Sequence, residues 1–168
     1  MTKNKPFKSL NIVVLTVSDS RDESNNTAGD LLADALVAEG HQLSEKVIAT
    51  DDIYQIRALT SVWIASTDVQ VVLVTGGTGF NDKNATIKAL TPLFDKTVEG
   101  FGELFRQLSF DDIGTSTLQS RAVAGLANGT VIFCMPGSIG ACQLGWDKII
   151  QTQLDARHGP CNFVPHLK

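Results

Sequence analysis

Cysteine is scarce in this sequence. The three that occur, Cys134, Cys142 and Cys161, are odd in number and form no CxxC pair. That excludes a disulfide-stapled scaffold and the common zinc-binding patterns. Two of them lie on apolar segments, where a thiol packs as a small buried hydrophobe. Long apolar runs are missing as well: the first, Ile12 to Val17, is too short for a signal-peptide core or a membrane span. A cytoplasmic location with no membrane partner is therefore expected. Basic clusters are absent too. Lys and Arg are spread along the chain and the net charge is -4, which speaks against nucleic acid as a partner. His41, His158 and His166 have no metal-ligand spacing and are given no catalytic role.

What is present suits a single domain. The 168 residues are 43% hydrophobic and 19% charged, enough for one substantial core with little room for a second. The domain is expected over 11–168, preceded by a flexible segment over 1–10. Segments 11–18, 69–75 and 130–135 are short, β-branched and nearly unbroken in their apolar character, as strands buried on both faces are. Segment 41–49 reads as a weaker strand. Between them, helical spacing recurs: Leu31, Leu32, Ala35 and Leu36, stopped by Gly40, then Ile53, Ile56, Leu59, Trp63 and Ile64 behind a cap at Asp51 or Asp52. Further helical patterns cover Ile87, Leu90 and Leu93, then 99–110, then 139–154. Such alternation predicts a three-layer α/β domain, a mostly parallel sheet with helices on both faces. Ligands bind beyond the carboxyl ends of such strands, which selects the loops after Ser18, Thr75 and Met135.

The loop after the second apolar strand reads Thr75-Gly76-Gly77-Thr78-Gly79. It is neither a Walker loop nor GxGxxG. Its glycines allow positive φ and close approach to the amides, so successive N–H groups can form a nest for phosphate, with the Thr75 and Thr78 hydroxyls as further donors. A tight turn without a ligand is the plainer alternative. Pro136, Gly137 and Ser138 end the last strand, and Ser138 is placed to cap the following helix, whose N-terminus attracts anions. Arg121, after Ser120, is a candidate phosphate clamp or a solvated arginine. Asp19 and Asp51 follow the first two strands, and either could hold Mg²⁺ beside substrate phosphates. For Asp51 a simple helix cap is the competing role.

In order along the chain, Thr16-Val17-Ser18-Asp19, the Gly-rich turn, Val98-Glu99-Gly100-Phe101-Gly102-Glu103, Ser120-Arg121 and Met135-Pro136-Gly137-Ser138 resemble the MoaB/Mog family of molybdenum cofactor biosynthesis. The stretch 108–125 and the tail 160–166 are similar to its bacterial MoaB branch. The resemblance implies a molybdopterin-binding domain that assembles as a homotrimer or homohexamer. It implies molybdopterin as ligand or substrate, with ATP and Mg²⁺ where adenylyl transfer occurs. By the same analogy the Gly-rich turn cradles phosphate, Ser120 and Ser138 help seat the pterin, and Asp51 stands at an acidic catalytic position.

Three positions depart from that pattern. Asn84 stands where active members carry Asp, Lys88 where they carry Glu, and Asn26 where the first loop offers an acid. Asp82 lies nearby, out of register, as a substitute acid. Loss of these charges favours a protein that binds molybdopterin or a related phosphate-bearing ligand with weak or no adenylyl transfer. The alternatives are a Mg-ATP-dependent molybdopterin adenylyltransferase using Asp51 and Asp82, and a non-catalytic structural subunit in which Phe101, Phe105 and Leu108 form a subunit interface.

Overall fold

The β-branched runs become the centre of a six-stranded sheet in a computed structural model, which describes residues 5–168. The order of elements is β1 (Asn11–Val17), α1 (Thr27–Ala38), β2 (Gln42–Ala49), α2 (Ile53–Ala65), β3 (Val71–Thr75), α3 (Thr86–Leu90) and β4 (Lys96–Thr97). Then come α4 (Glu99–Ile113), β5 (Val123–Ala127), β6 (Thr130–Met135), α5 (Ile139–Gly145) and α6 (Gln151–Gln153). The strand order is β2-β1-β3-β6-β5-β4. The first four of these strands pair in parallel, and β5 and β4 complete the sheet antiparallel.

Successive side chains of a strand point to opposite faces, and the strands divide accordingly. Ile12 and Val14 of β1, Leu73 of β3 and Phe133 of β6 share one core with α1, α4 and α5. Val13, Leu15, Val72, Val74 and Ile132 share a second core with Ile56 and Trp63 of α2 and Leu90 of α3. Helices therefore cover both faces. Phe101 and Phe105, weighed as interface residues, are buried in the first core, with Leu108 packed against it. No helix among the described residues is long and apolar enough to cross a membrane.

Two strands at the antiparallel end of the sheet escape the pattern reading. β4 has two residues, and β5 is Val-Ala-Gly-Leu-Ala, whose small residues carry little β signal. Gly125 is small because the Phe94 ring lies against it, 2.2 Å from where a Cβ would stand. Helix α1 also turns differently from its expected face: Ala28, Gly29, Leu32, Ala33 and Leu36 are buried, while Leu31 and Ala35 are only partly so. The last helix is not continuous. A π-helical turn, Trp146–Ile150, joins α5 to α6 and keeps Trp146, Ile149 and Ile150 buried.

Of the segment expected to be flexible, residues 1–4 lie outside those described. The rest is tied down. Phe7 packs on His41 at 5.1 Å, the Ser9 hydroxyl donates to the Gly40 carbonyl at 2.8 Å, and Leu10 is fully buried. The Leu10 amide donates to His41 Nδ1 at 3.2 Å, which requires the neutral ring with its proton on Nε2.

Burial holds the His41 pKa below its usual 6.5, against an opposing pull from Asp155. The unfolded chain therefore binds the extra proton first, and stability falls as pH drops below 6.5 toward the folded value. Denaturant unfolding at pH 7.5 and at about pH 5.5 should reveal this loss, and His41→Asn should remove the His41 share of the slope. Equal slopes for the two proteins would contradict this role of His41.

Candidate functional site

The strand order reverses direction between β1 and β3, and at that switch a cleft of about 820 Å³ opens beyond the carboxyl ends. Thr16 of β1 pairs with Thr75 of β3, and Thr75 with Met135 of β6, so their three following loops leave the sheet at one level. Ser18, Asp19, Asp51, the whole Gly-rich turn, Asp82, Asn84 and Gly137 all line the cleft.

Two glycines shape the turn. Gly76 and Gly77 have φ of +92° and +64°, where other residues are strained. A Cβ on Gly76 would lie 2.3 Å from the Val17 carbonyl, and one on Gly77 would lie 2.2 Å from Thr86 Oγ1. Thr86 clamps the turn from behind, donating its hydroxyl to Gly76 O at 2.8 Å and its amide to Gly77 O at 3.1 Å. The Gly76 amide is taken by Met135 O at 3.1 Å. The next three amides, of Gly77, Thr78 and Gly79, have no acceptor among the described residues, as an anion nest requires. The Thr75 hydroxyl is not a further donor to the cleft. It donates to Pro136 O at 3.1 Å and lies 3.0 Å from Cys142 Sγ, whose pKa burial pushes up to about 11.

Asp52, not Asp51, caps α2, accepting from the amides of Tyr54 and Gln55. That leaves the Asp51 carboxylate to join the two loops. Its Oδ1 accepts from the Ala85 amide at 2.8 Å and its Oδ2 from Asn84 Nδ2 at 3.0 Å. Asn84 Oδ1 in turn accepts from the Asn81 amide at 3.1 Å, which fixes the orientation of the side-chain amide. Asp19 Oδ1 accepts from the Asp51 backbone amide at 2.9 Å. Asp82 lines the cleft as an exposed carboxylate.

Several sequence candidates lie elsewhere. Arg121 is outside the cleft lining: its guanidinium donates to Gly79 O at 3.0 Å and sits over the Phe80 ring at 5.2 Å, so it braces the turn from behind. Lys88 is exposed on α3 and also outside the lining. Ser120, Pro136 and Ser138 line a separate, smaller cavity of about 120 Å³ beside Phe105 and Leu144. Ser138 caps α5 through the Ala141 amide at 3.1 Å, as its position predicts.

The cleft also contains residues that pattern reading did not select: Thr16, Arg21, Asn81 and Lys83. For Thr16 the available signals were a threonine inside an otherwise apolar strand and its place in the Thr16-Val17-Ser18-Asp19 motif. Asn26, noted in the sequence only as a missing acid, is 1% exposed at the cleft wall and accepts from the Thr16 hydroxyl at 2.9 Å. Its Nδ2 has no partner among the described residues.

The donor set bears on Mg²⁺. Such an ion usually takes one or two carboxylates together with substrate phosphates. Here both Asp51 oxygens already accept N–H groups, and the neighbour that could complete a pair is an amide. No cluster of three or more His, Cys, Asp or Glu side chains that could hold a metal occurs among the described residues. The donor set immediately around Asp51 is thus poor in carboxylates for a resident metal.

Residues 13–156 match a family model described as a probable molybdopterin binding domain. The chain is 57% identical over 162 residues to molybdenum cofactor biosynthesis protein B of Escherichia coli strain K12, covering 96% of this chain and 95% of that one. The protein of the same name from Halalkalibacterium halodurans is 40% identical over 148 residues, covering 88% and 87%. Among solved structures, a molybdenum cofactor biosynthesis protein B superposes with a TM-score of 0.86 at 39% identity, covering 89% of this chain and 94% of that one. The tungsten cofactor synthesizing protein MoaB from Pyrococcus furiosus gives 0.75 at 33%, covering 88% and 93%.

Gly77→Ala should destabilise the fold by about 1–3 kcal/mol, since it forces a side chain into a strained backbone and against Thr86. Gly100→Ala, in α4 with open space at the Cβ position, should be neutral or stabilising by up to about 1 kcal/mol. Chemical denaturation of both variants checks the contrast, and equal costs would contradict the constrained turn.

Proposed function

From the premise that this chain belongs to the family of molybdopterin-binding domains that includes the bacterial MoaB proteins, we propose that its cleft holds molybdopterin or a related phosphate-bearing ligand with weak or no adenylyl transfer. One observation carries the reading: the free amides of Gly77, Thr78 and Gly79 stand beside an Asp51 carboxylate already engaged by the Asn84 amide. The nest offers N–H groups to phosphate oxygens. Asp51, tied to Asn84 and Ala85, holds the rim of that nest in place.

The adenylyltransferase reading needs Mg²⁺ and ATP, and Asn84 works against both. An Asp at position 84 would put two carboxylates face to face. Like charges about 4 Å apart repel by about 4 kcal/mol at an effective dielectric of 20, and a divalent cation relieves exactly such a pair. The Asn84 amide provides that relief without a metal. Lys88 contributes little, being exposed and outside the lining. Asp82 is the acid still available for a catalytic role.

A homotrimeric or homohexameric assembly accompanies the proposal. Leu104, Phe110, Ile113 and Leu118 are 40%, 54%, 47% and 77% exposed along α4 and the turn after it, which supports an apolar contact between subunits there. The proposed location is cytoplasmic.

Calorimetric titration with molybdopterin and with ATP, each with and without Mg²⁺, tests the reading. Molybdopterin should bind with the same affinity in both conditions, and ATP should give no Mg²⁺-dependent signal. Asn84→Asp should create that dependence, while Lys88→Glu alone should not. Tight Mg²⁺-dependent ATP binding by the unaltered protein would overturn the proposal in favour of the enzyme.

A further inference from the structure

The orphan amide of Asn26 is the one buried side-chain donor without a partner among the described residues, and it stands at the wall of the cleft. Asn26 is the N-cap residue of α1, yet its side chain makes no capping bond. Its Oδ1 is turned instead toward the Thr16 hydroxyl, so Nδ2 is left over. An unsatisfied buried donor is costly, and a ligand acceptor would remove that cost.

The backbone around it is also unsatisfied. The Thr27 amide donates to Asn25 O at 2.9 Å and the Asp30 amide to Asn26 O at 2.9 Å. The amides of Ala28 and Gly29, between them in the first turn, have no acceptor among the described residues, as helix starts leave them. Ala28 lines the cleft with Asn26. Gly29 has no room for a side chain: a Cβ there would fall 2.5 Å from both Asn26 Nδ2 and Thr16 Oγ1. A twelve-residue helix thus starts beside the cleft, with the Ala28 amide at its lining, the Gly29 amide buried next to it, its positive dipole end, and a buried side-chain donor.

We infer that Asn26 Nδ2, with the amides of Ala28 and Gly29, forms a second oxyanion subsite of the cleft, and that Asn26 sets its polarity toward ligand acceptors and away from cations. This rests on the proposed phosphate-binding role of the same cleft and adds to it a ligand with two separated acceptor groups, one at the Gly-rich turn and one at the start of α1. A carboxylate at position 26 would still accept the Thr16 hydroxyl, but its second oxygen would present negative charge where the subsite now donates. Asn at 26 and Asn at 84 then act in one direction, each putting N–H where an acid would call for a cation.

Amide NMR of the ¹⁵N-labelled full chain, titrated with inorganic phosphate and separately with magnesium chloride, tests this. Phosphate should shift the Asn26 side-chain NH₂ pair and the Ala28 and Gly29 amides, as well as those of Gly77 to Gly79. Magnesium chloride should leave the Asn26 pair in place. Asn26→Asp should weaken phosphate binding at this subsite about tenfold or more. Shifts at Gly77 to Gly79 alone would overturn the second subsite while leaving the proposed function standing. No shift at either place would overturn both. Movement of the Asn26 pair by magnesium chloride without phosphate would also overturn the inference.

Discussion

The Asp51 carboxylate accepts the Ala85 amide at 2.8 Å and the Asn84 side-chain amide at 3.0 Å, while its own backbone amide donates to Asp19. These contacts join the loops that follow β1, β2 and β3, which are far apart in sequence and share no backbone ladder beyond the strand ends. Hydrogen bonds to a charged group contribute about 1.5–3 kcal/mol each, enough to hold loops that would otherwise move independently. Asn84 then orients the segment after the Gly-rich turn through Asn81, and Thr86 fixes the carbonyls of Gly76 and Gly77. The three free amides of the turn are presented only because this network stands behind them.

The sheet's centre was legible because β1, β3 and β6 are short, β-branched and apolar on both faces, as buried strands are. From them followed the βαβ alternation, the helices on both faces and the loops that would meet at the carboxyl ends. The antiparallel edge was illegible: β4 has two residues, and β5 owes its Gly125 to packing by Phe94, a contact with no local trace. At the site, the Gly-rich turn, Asp19 and Asp51 could be placed from the strand ends. Which of Asp51 and Asp52 caps α2 could not, because that depends on which carboxylate the first turn of the helix captures. Arg121 was misleading for a similar reason. An arginine near a Gly-rich loop suits a phosphate clamp, yet here it lies outside the cleft lining, with one of its N–H groups on the Gly79 carbonyl.

The cleft's polarity is a property of side-chain type at fixed backbone geometry. Asn and Asp differ little in shape, so the fold tolerates either at 26 and 84. Their hydrogen-bonding differs in sign: one side donates where the other accepts. The matching family model and the structures superposed at 33–39% identity place the backbone firmly within one family. In the proposed reading, the chemistry of this chain's cleft is set by the few positions where it presents amides.

A crystal soaked with pyrophosphate and Mn²⁺, with anomalous data collected at the manganese edge, tests the central claim most directly. The account predicts pyrophosphate oxygens on the amides of Gly77, Thr78 and Gly79, the Asn84–Asp51 hydrogen bond intact, and no anomalous peak beside Asp51. A manganese peak between Asp51 and the anion, with the Asn84 amide displaced, would contradict it.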